Sequence, residues 1–230
     1  MEKQSNKNEK LTKLIKEFLD DDDTLELIQT QTMGFIKLMS CYRCALMEIE
    51  TKFKVLNEEY QLKNGRDPIS TIKTRLKSPA SIREKLDRRN LPMTLETMET
   101  ELDDIAGVRV ICSFPEDVYT IAEAFLKQDD IVLLEKKDYI ANPKPNGYRS
   151  LHIVVAIPIF LESEKRMMKV EIQFRTIAMD FWASLEHQLC YKKESNCSKA
   201  VAEELLQCAE LSAQLDLRMD RLRKSVLEQG

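Results

Sequence analysis

Gly107-Val-Arg-Val-Ile-Cys-Ser-Phe114 decides the fold. The segment alternates and is rich in β-branched residues, the period-two signature of a strand. Just before it, Thr94 to Asp104 carries five acids and no base and reads as a solvated helix. Just after it, Pro115 opens a helix reaching about Lys127, proline being favoured in a helix's first turn. The alternation of elements continues downstream. Ile131 to Leu134 reads as a second strand, and Lys137 to Ser150, with Pro143, Pro145 and Gly147, as a loop. Leu151 to Ile157 is nearly all apolar and reads as a central strand. Met167 to Arg175 alternates as a fourth, and Ile177 to Tyr191 reads as a helix. The middle of the chain is therefore a mixed β-sheet with helices, of the α/β (α+β) class.

Outward from this centre the period becomes helical. Pro79 to Arg89 and Ile69 to Leu76 are expected as two short helices broken at Ser78-Pro79. Asn64-Gly65 stops an earlier helix that begins near Thr24. In that helix Phe35, Met39, Tyr42, Leu46, Ile49, Phe53, Leu56 and Tyr60 form one apolar seam. A last helix runs from Ser198 to about Leu227, with Val201, Leu205, Cys208, Leu215, Met219, Leu222 and Val226 on a stripe. The expected organisation is a flexible lead-in over 1–23, an N-terminal helical region over 24–66, a catalytic domain over 67–195 and a C-terminal helix over 196–230. The two terminal seams point to a homo-oligomer.

The bulk numbers narrow the classes. The 230 residues, 43% hydrophobic and 32% charged, suit one soluble globular domain with helical extensions. A net charge of -4 argues against a general nucleic-acid binder, which carries a basic excess. The polar N-terminus lacks an apolar signal core, and no apolar run approaches the roughly 20 residues of a membrane helix, so a cytoplasmic protein is expected. Six scattered cysteines show no disulfide framework. Cys41 and Cys44 sit inside a helical pattern with no second pair, which does not make a zinc site.

Three features carry possible chemistry. Arg75, Lys77, Arg83, Lys85, Arg88 and Arg89 outnumber Glu84 and Asp87, and Ser81 stands near a helix start, where free backbone N–H groups attract anions. By composition the same residues equally suit a solvated face. Asp103-Asp104 precedes the first strand, and Glu171 shares one face of the last strand with Gln173, opposite Val170 and Ile172. Two acids converging from such positions suit a divalent cation and phosphoryl or nucleotidyl transfer, whereas an edge strand with a wet face is the plain alternative. Finally, Tyr148 beside Gly147 offers a ring for base stacking, and Lys144 and Arg149 offer charges to phosphates.

These signals fall in a known order. Arg75-x-Lys77-x-x-x-Ser81-x-x-x-Lys85, Asp104-Ile-Ala-Gly-Val-Arg109, Asn146-Gly-Tyr-Arg-Ser-Leu-His152, Glu171-Ile-Gln-Phe-Arg175 and Phe181-Trp-Ala-x-x-Glu186-His187 together resemble the synthetase domain of the RelA/SpoT family. The resemblance covers about Pro68 to Tyr191, and in wording it is closer to the small RelP type than to RelQ. It implies a nucleotidyltransferase-like fold and a (p)ppGpp synthetase, a GTP diphosphokinase that moves pyrophosphate from ATP to the 3′-hydroxyl of GDP or GTP. Lys77, Ser81 and Lys85 would meet ATP phosphates, with Arg75 and Arg109 around adenine. Asp104 and Glu171 would hold Mg²⁺, with Glu171 also activating the acceptor. Tyr148 would stack on guanine, and Lys144, Asn146, His152, Gln173 and Arg175 would surround the acceptor. Small synthetases of this kind form homotetramers, which sets the expected number. The alternatives are a related nucleotidyltransferase with another acceptor, or a non-catalytic RNA- or nucleotide-binding oligomer.

Overall fold

The computed structural model describes residues 22–191 and 198–227. The expected lead-in over 1–23 lies almost wholly outside the described residues. Two compact units meet between Cys41 and Tyr42, inside helix α1 (Asp22–Asn64). Of the first unit, the described residues are helical throughout, and Leu38, Met39 and Cys41 are buried.

The second unit contains a five-stranded sheet. Its elements run β1 (Ile69–Leu76), α2 (Pro79–Arg88), α3 (Leu95–Glu101), β2 (Ala106–Cys112), α4 (Pro115–Leu126), β3 (Val132–Asp138), β4 (Leu151–Phe160), β5 (Lys165–Thr176), α5 (Ile177–Glu186), a π-helical turn (His187–Tyr191) and α6 (Lys199–Leu227). The strand order is β1-β2-β5-β4-β3. Only β2 and β5 pair in parallel; the other three pairings are antiparallel.

One expectation fails outright, because Ile69 to Leu76 is a strand and not a helix. Ile69, Ile72 and Leu76 recur at helical spacing, which misleads the period. Pairing with β2 from Ile69↔Cys112 to Leu76↔Ala106 overrides that local signal. The register puts Ile72 beside Val110 and Thr74 beside Val108 on the core face, and Lys73 beside Arg109 on the other. The other bounds shift both ways: β3 runs on to Asp138, β4 to Phe160, and β5 starts at Lys165, whereas β2 stops at Cys112, α3 spans only Leu95–Glu101, and α5 gives way to the π-helical turn after Glu186.

The core lies on the face where Val108, Val110, Ile153, Val155, Val170, Ile172 and Phe174 point inward, all at most 2% exposed. Within this unit, Tyr42, Ala45, Leu46, Ile49 and Phe53 of α1 are buried. Phe53 stacks on Phe125 of α4 at 4.6 Å between ring centroids and meets Phe174 edge-on at 5.6 Å. This stretch of the first seam is thus core of its own chain. The last helix differs from its expected stripe. It turns Leu205, Ala209, Ser212 and Asp216 inward, while Val201, Leu215, Met219, Leu222 and Val226 are between 41% and 69% exposed. Cys44, Cys112 and Cys208 are free, and Cys190 is disulfide-bonded, where no disulfide framework was expected.

Candidate active site

The sheet register builds the site. On the face opposite the core, Lys73, Arg109, Gln173, His152 and Lys137 are successive partners across all five strands. One step along, Arg75, Gly107, Glu171, Val154 and Glu135 form a second row. Gly107 brings no side chain between Arg75 and Glu171, and a Cβ there would touch only the Arg75 carbonyl at 3.8 Å. The space left is a cavity of about 210 Å³ whose walls include Lys73, Arg75, Lys77, Asp104, Arg109, Glu171 and Gln173.

Asp104 lies between two ammonium groups. Its Oδ2 accepts from Lys77 Nζ at 2.6 Å, and Lys85 Nζ stands 2.7 Å from Oδ1. Burial opposes its charge, but the bonds from Lys77 and Lys85 prevail and hold the carboxyl below its usual range. Lys77 is fixed by its backbone N–H to Ile105 at 2.8 Å, and Lys85 by its place on α2. Of the expected phosphate contacts Lys77 lines the cavity, Lys85 reaches it through Asp104, and Ser81 is turned to the helix start. Its N–H and hydroxyl both engage Ser78, the N-cap of α2.

Glu171 sits in a closed ring of side chains. Its Oε1 is 3.5 Å from His152 Nδ1, and its Oε2 accepts from Gln173 Nε2 at 3.2 Å. His152 Nε2 meets the Tyr148 hydroxyl at 2.8 Å, Arg175 Nη2 donates to that hydroxyl at 2.8 Å, and Arg175 Nη2 also donates to Gln173 Oε1 at 3.0 Å. Burial again raises the Glu171 carboxyl, but its contacts with His152 outweigh this and leave it lowered. Both acids are thus ionised on one cavity. Two half-buried carboxylates on the cavity wall, supplying oxygen donors only, would fit a Mg²⁺ completed by substrate phosphates. Among the described residues no three candidate ligands cluster to cage a metal by themselves.

The loop between β3 and β4 carries the acceptor candidates. Lys144 Nζ lies 5.1 Å from the Tyr148 ring centroid and 4.6 Å from that of Tyr139. Asn146 Oδ1 accepts from the Tyr148 N–H at 3.2 Å, and its amide donates to Glu186 at 3.3 Å. Gly147 has φ +88° and packs under α6.

Two residues of the site are absent from the sequence reading. Lys73 is hidden by the misread strand; as a strand residue two before Arg75 it would have been placed on the same face. Asp180 is a buried acid in the first turn of α5, amid Ile177, Ala178, Met179, Phe181 and Trp182. An acid among apolar neighbours is the same local signal that marks Glu171, and it marks Asp180 as well.

A sheet face with a cluster of cations at one end, two ionised acids in the middle and an aromatic loop at the other has the make-up of a two-substrate nucleotide transferase. Residues 74–196 match the model of the region found in RelA/SpoT proteins, and the chain belongs to that family. It is 44% identical over 185 residues to the GTP pyrophosphokinase YwaC of Bacillus subtilis (strain 168), covering 80% of this chain and 88% of that one. Among solved structures it is similar to small alarmone synthetase 2 from Bacillus subtilis, with TM-score 0.75 and 41% identity over 83% of this chain and 98% of the other. Small alarmone synthetase 1 from the same organism, bound to its product pppGpp, gives TM-score 0.73 and 38% identity over 80% and 94%.

Proposed function

We propose that the protein is a (p)ppGpp synthetase, transferring pyrophosphate from ATP to the 3′-hydroxyl of GDP or GTP and releasing AMP. The observation that carries this reading is the meeting of Asp104 and Glu171 on one cavity between a cationic wall and an aromatic loop. The similar synthetase with bound pppGpp supports the product.

In this reading Arg75 and Arg109 flank adenine, since guanidinium planes stack on bases. Lys77 and Lys85 take the phosphates, and Ser81 joins them only by turning from its cap. Asp104 and Glu171 hold Mg²⁺, which when bound neutralises phosphate charge and orients the reacting phosphorus. Tyr148 stacks on guanine, with Lys144, Asn146, His152, Gln173 and Arg175 around the acceptor. Glu171 accepts the proton of the 3′-hydroxyl as its oxygen bonds to the β-phosphorus. The bond from that phosphorus to the α–β bridging oxygen breaks, and the electron pair leaves with AMP. His152, 3.5 Å from Glu171, steadies the carboxylate in its charged form.

No helix among the described residues is long and apolar enough to cross a membrane, and we place the enzyme in the cytoplasm. The exposed stripe on α6 would be costly to leave in water, and we assign it to a homotetramer. Light scattering at micromolar protein checks this: a mass near the 26.8 kDa of one chain rejects it. Phe53, fully buried in its own unit, is not part of that interface, whereas Leu215 is 54% exposed. The catalytic reading is tested by incubation with ATP, Mg²⁺ and GDP followed by nucleotide separation. AMP and a 3′-pyrophosphorylated guanosine nucleotide are expected in equal amounts; ATP left intact rejects it.

A further inference from the structure

The Asp180 carboxylate is 7% exposed, yet it faces three cations from three strands. Its Oδ1 accepts from Arg109 Nη1 at 3.1 Å and from Arg175 Nη1 at 3.0 Å, while Oδ2 accepts from Lys73 Nζ at 3.1 Å. Arg109 belongs to the donor cavity on β2. Arg175, on β5, is tied to Tyr148 and Gln173 on the acceptor side. One carboxylate oxygen is therefore shared by the two nucleotide pockets.

The first turn of α5 is built to hold it there. Thr176 caps the helix, accepting from the Met179 N–H at 3.1 Å, and its hydroxyl donates to the buried Asp216 of α6 at 2.5 Å. Ser212 of α6 donates to the Ala178 carbonyl at 3.0 Å. Two bonds from α6 thus fasten the turn that carries Asp180. The arginines need such a partner. Burial and the nearby Arg175 push the Arg109 guanidinium below its ordinary value, and the Nε of each is buried without a hydrogen-bond partner. Without a counter-charge, two like charges this close repel and separate.

We infer that Asp180 is a positioning residue that sets the spacing of Arg109 and Arg175, and so holds the donor and acceptor pockets in register. It touches neither substrate; it acts through the two arginines. The inference rests on the assignment of those arginines to ATP and to the guanine nucleotide.

The test measures equilibrium binding of a non-hydrolysable ATP analogue and of GDP, separately, together with turnover. Asp180→Asn removes the charge at nearly constant volume. Loss of a buried ion-pair partner is expected to raise both dissociation constants together, each by about tenfold or more. Arg109→Lys should raise the ATP-analogue constant alone. In the Arg109→Lys background, Asp180→Asn should weaken the analogue by less than about threefold, because residues sharing an interaction are non-additive. A purely structural acid would lower the melting temperature and kcat through the active fraction, leaving both constants unmoved. Asp180→Glu keeps the charge and should fall between wild type and Asp180→Asn in both constants. It also carries the test if the asparagine variant does not fold, since a carboxylate displaced by one methylene still weakens both ligands in parallel. Unchanged constants, a change in only one of them, or full additivity with Arg109→Lys overturns the inference. Wild-type protein that makes no AMP from ATP and GDP rejects the functional reading instead, and the binding data still decide the role of Asp180.

Discussion

Gly147→Ala drives a methyl group into the last helix. An added Cβ would lie 2.5 Å from Ala209 Cβ and 3.1 Å from Leu206 Cδ1, and the backbone there has φ +88°. The left-handed conformation costs a non-glycine residue about 1–2 kcal/mol. Overpacking a tight contact adds about 1–3 kcal/mol. If the loop stays in place the loss is therefore about 2–5 kcal/mol. The loop is held to α6 by a long bond from Arg149 Nη1 to the Ala209 carbonyl, at 3.3 Å. Such a bond contributes only about 1 kcal/mol net, so lifting the loop relieves part of the strain. Lifting displaces Asn146 and Tyr148 from the acceptor side. Urea unfolding should show a loss of about 2 kcal/mol or more, and KM for GDP should rise by about tenfold while KM for ATP stays put. Ala209→Gly removes the 2.5 Å contact. Measured against Ala209→Gly alone, which itself costs about 1 kcal/mol as a helical glycine, Gly147→Ala should then cost only about the 1–2 kcal/mol of the backbone. A single variant as stable as wild type with unchanged KM for GDP, or a double variant showing no recovery, would refute the reasoning.

Other outcomes follow from the same geometry. Glu171→Gln should bind both nucleotides and lose about 10²–10⁴-fold in kcat, the usual contribution of a general base; a loss under about tenfold reassigns the residue. Glu171 and Asp104 are both held below their ordinary values, so the acid limb of kcat/KM should fall below the ordinary glutamate range. The stability these two carboxylates give is complete above their unfolded-state values and disappears as pH falls through the lower folded-state values, which urea midpoints against pH will show. An acid limb above the ordinary glutamate value contradicts both readings. Arg75→Lys should raise KM for ATP with KM for the acceptor unmoved, because the ammonium cannot stack as a guanidinium does; the reverse pattern exchanges the pockets. Tyr148→Phe leaves the ring but strips the hydroxyl from Arg175 and His152, so KM for GDP should rise by about tenfold, less than for Tyr148→Ala, as expected when a buried donor loses its partner. Identical damage from both substitutions would deny the ring any part.

Much of this was legible because the decisive signals are local. The alternation of Gly107 to Phe114 and of Met167 to Arg175 gives β2 and β5, and the acid on the polar face of β5 gives Glu171. The resemblance added the nucleotide roles. β1 was not legible, because an edge strand leaves most of its residues exposed and three apolar residues happened to fall at helical spacing. Lys73 was lost with it. The partners of Asp180 were out of reach for a different reason: they come from β1, β2 and β5, and only the sheet order brings them to one helix turn. The same holds for Tyr148. A ring can be proposed from a tyrosine beside a glycine, but nothing in the chain announces that its hydroxyl bridges Arg175 and His152.

The strand order has a temporal consequence. β5 is the last strand among the described residues, yet it lies in the middle of the sheet, between the β1-β2 pair and the β3-β4 pair. On one edge β5 folds back on β4 as a hairpin that begins at Phe160↔Lys165, but on the other it must find β2 in the parallel pairing that starts at Gly107↔Glu171, the kind of long-range pairing that slows folding. Glu171 travels on that joining strand. During synthesis the ribosome therefore releases the β1-β2 and β3-β4 segments before it releases the strand that unites them. An interrupted polypeptide ending anywhere ahead of Lys165 lacks Glu171, the carboxylate to which we assign activation of the acceptor. On that assignment translation products of this length are silent, and the capacity to make a signal arrives only once β5 has been made.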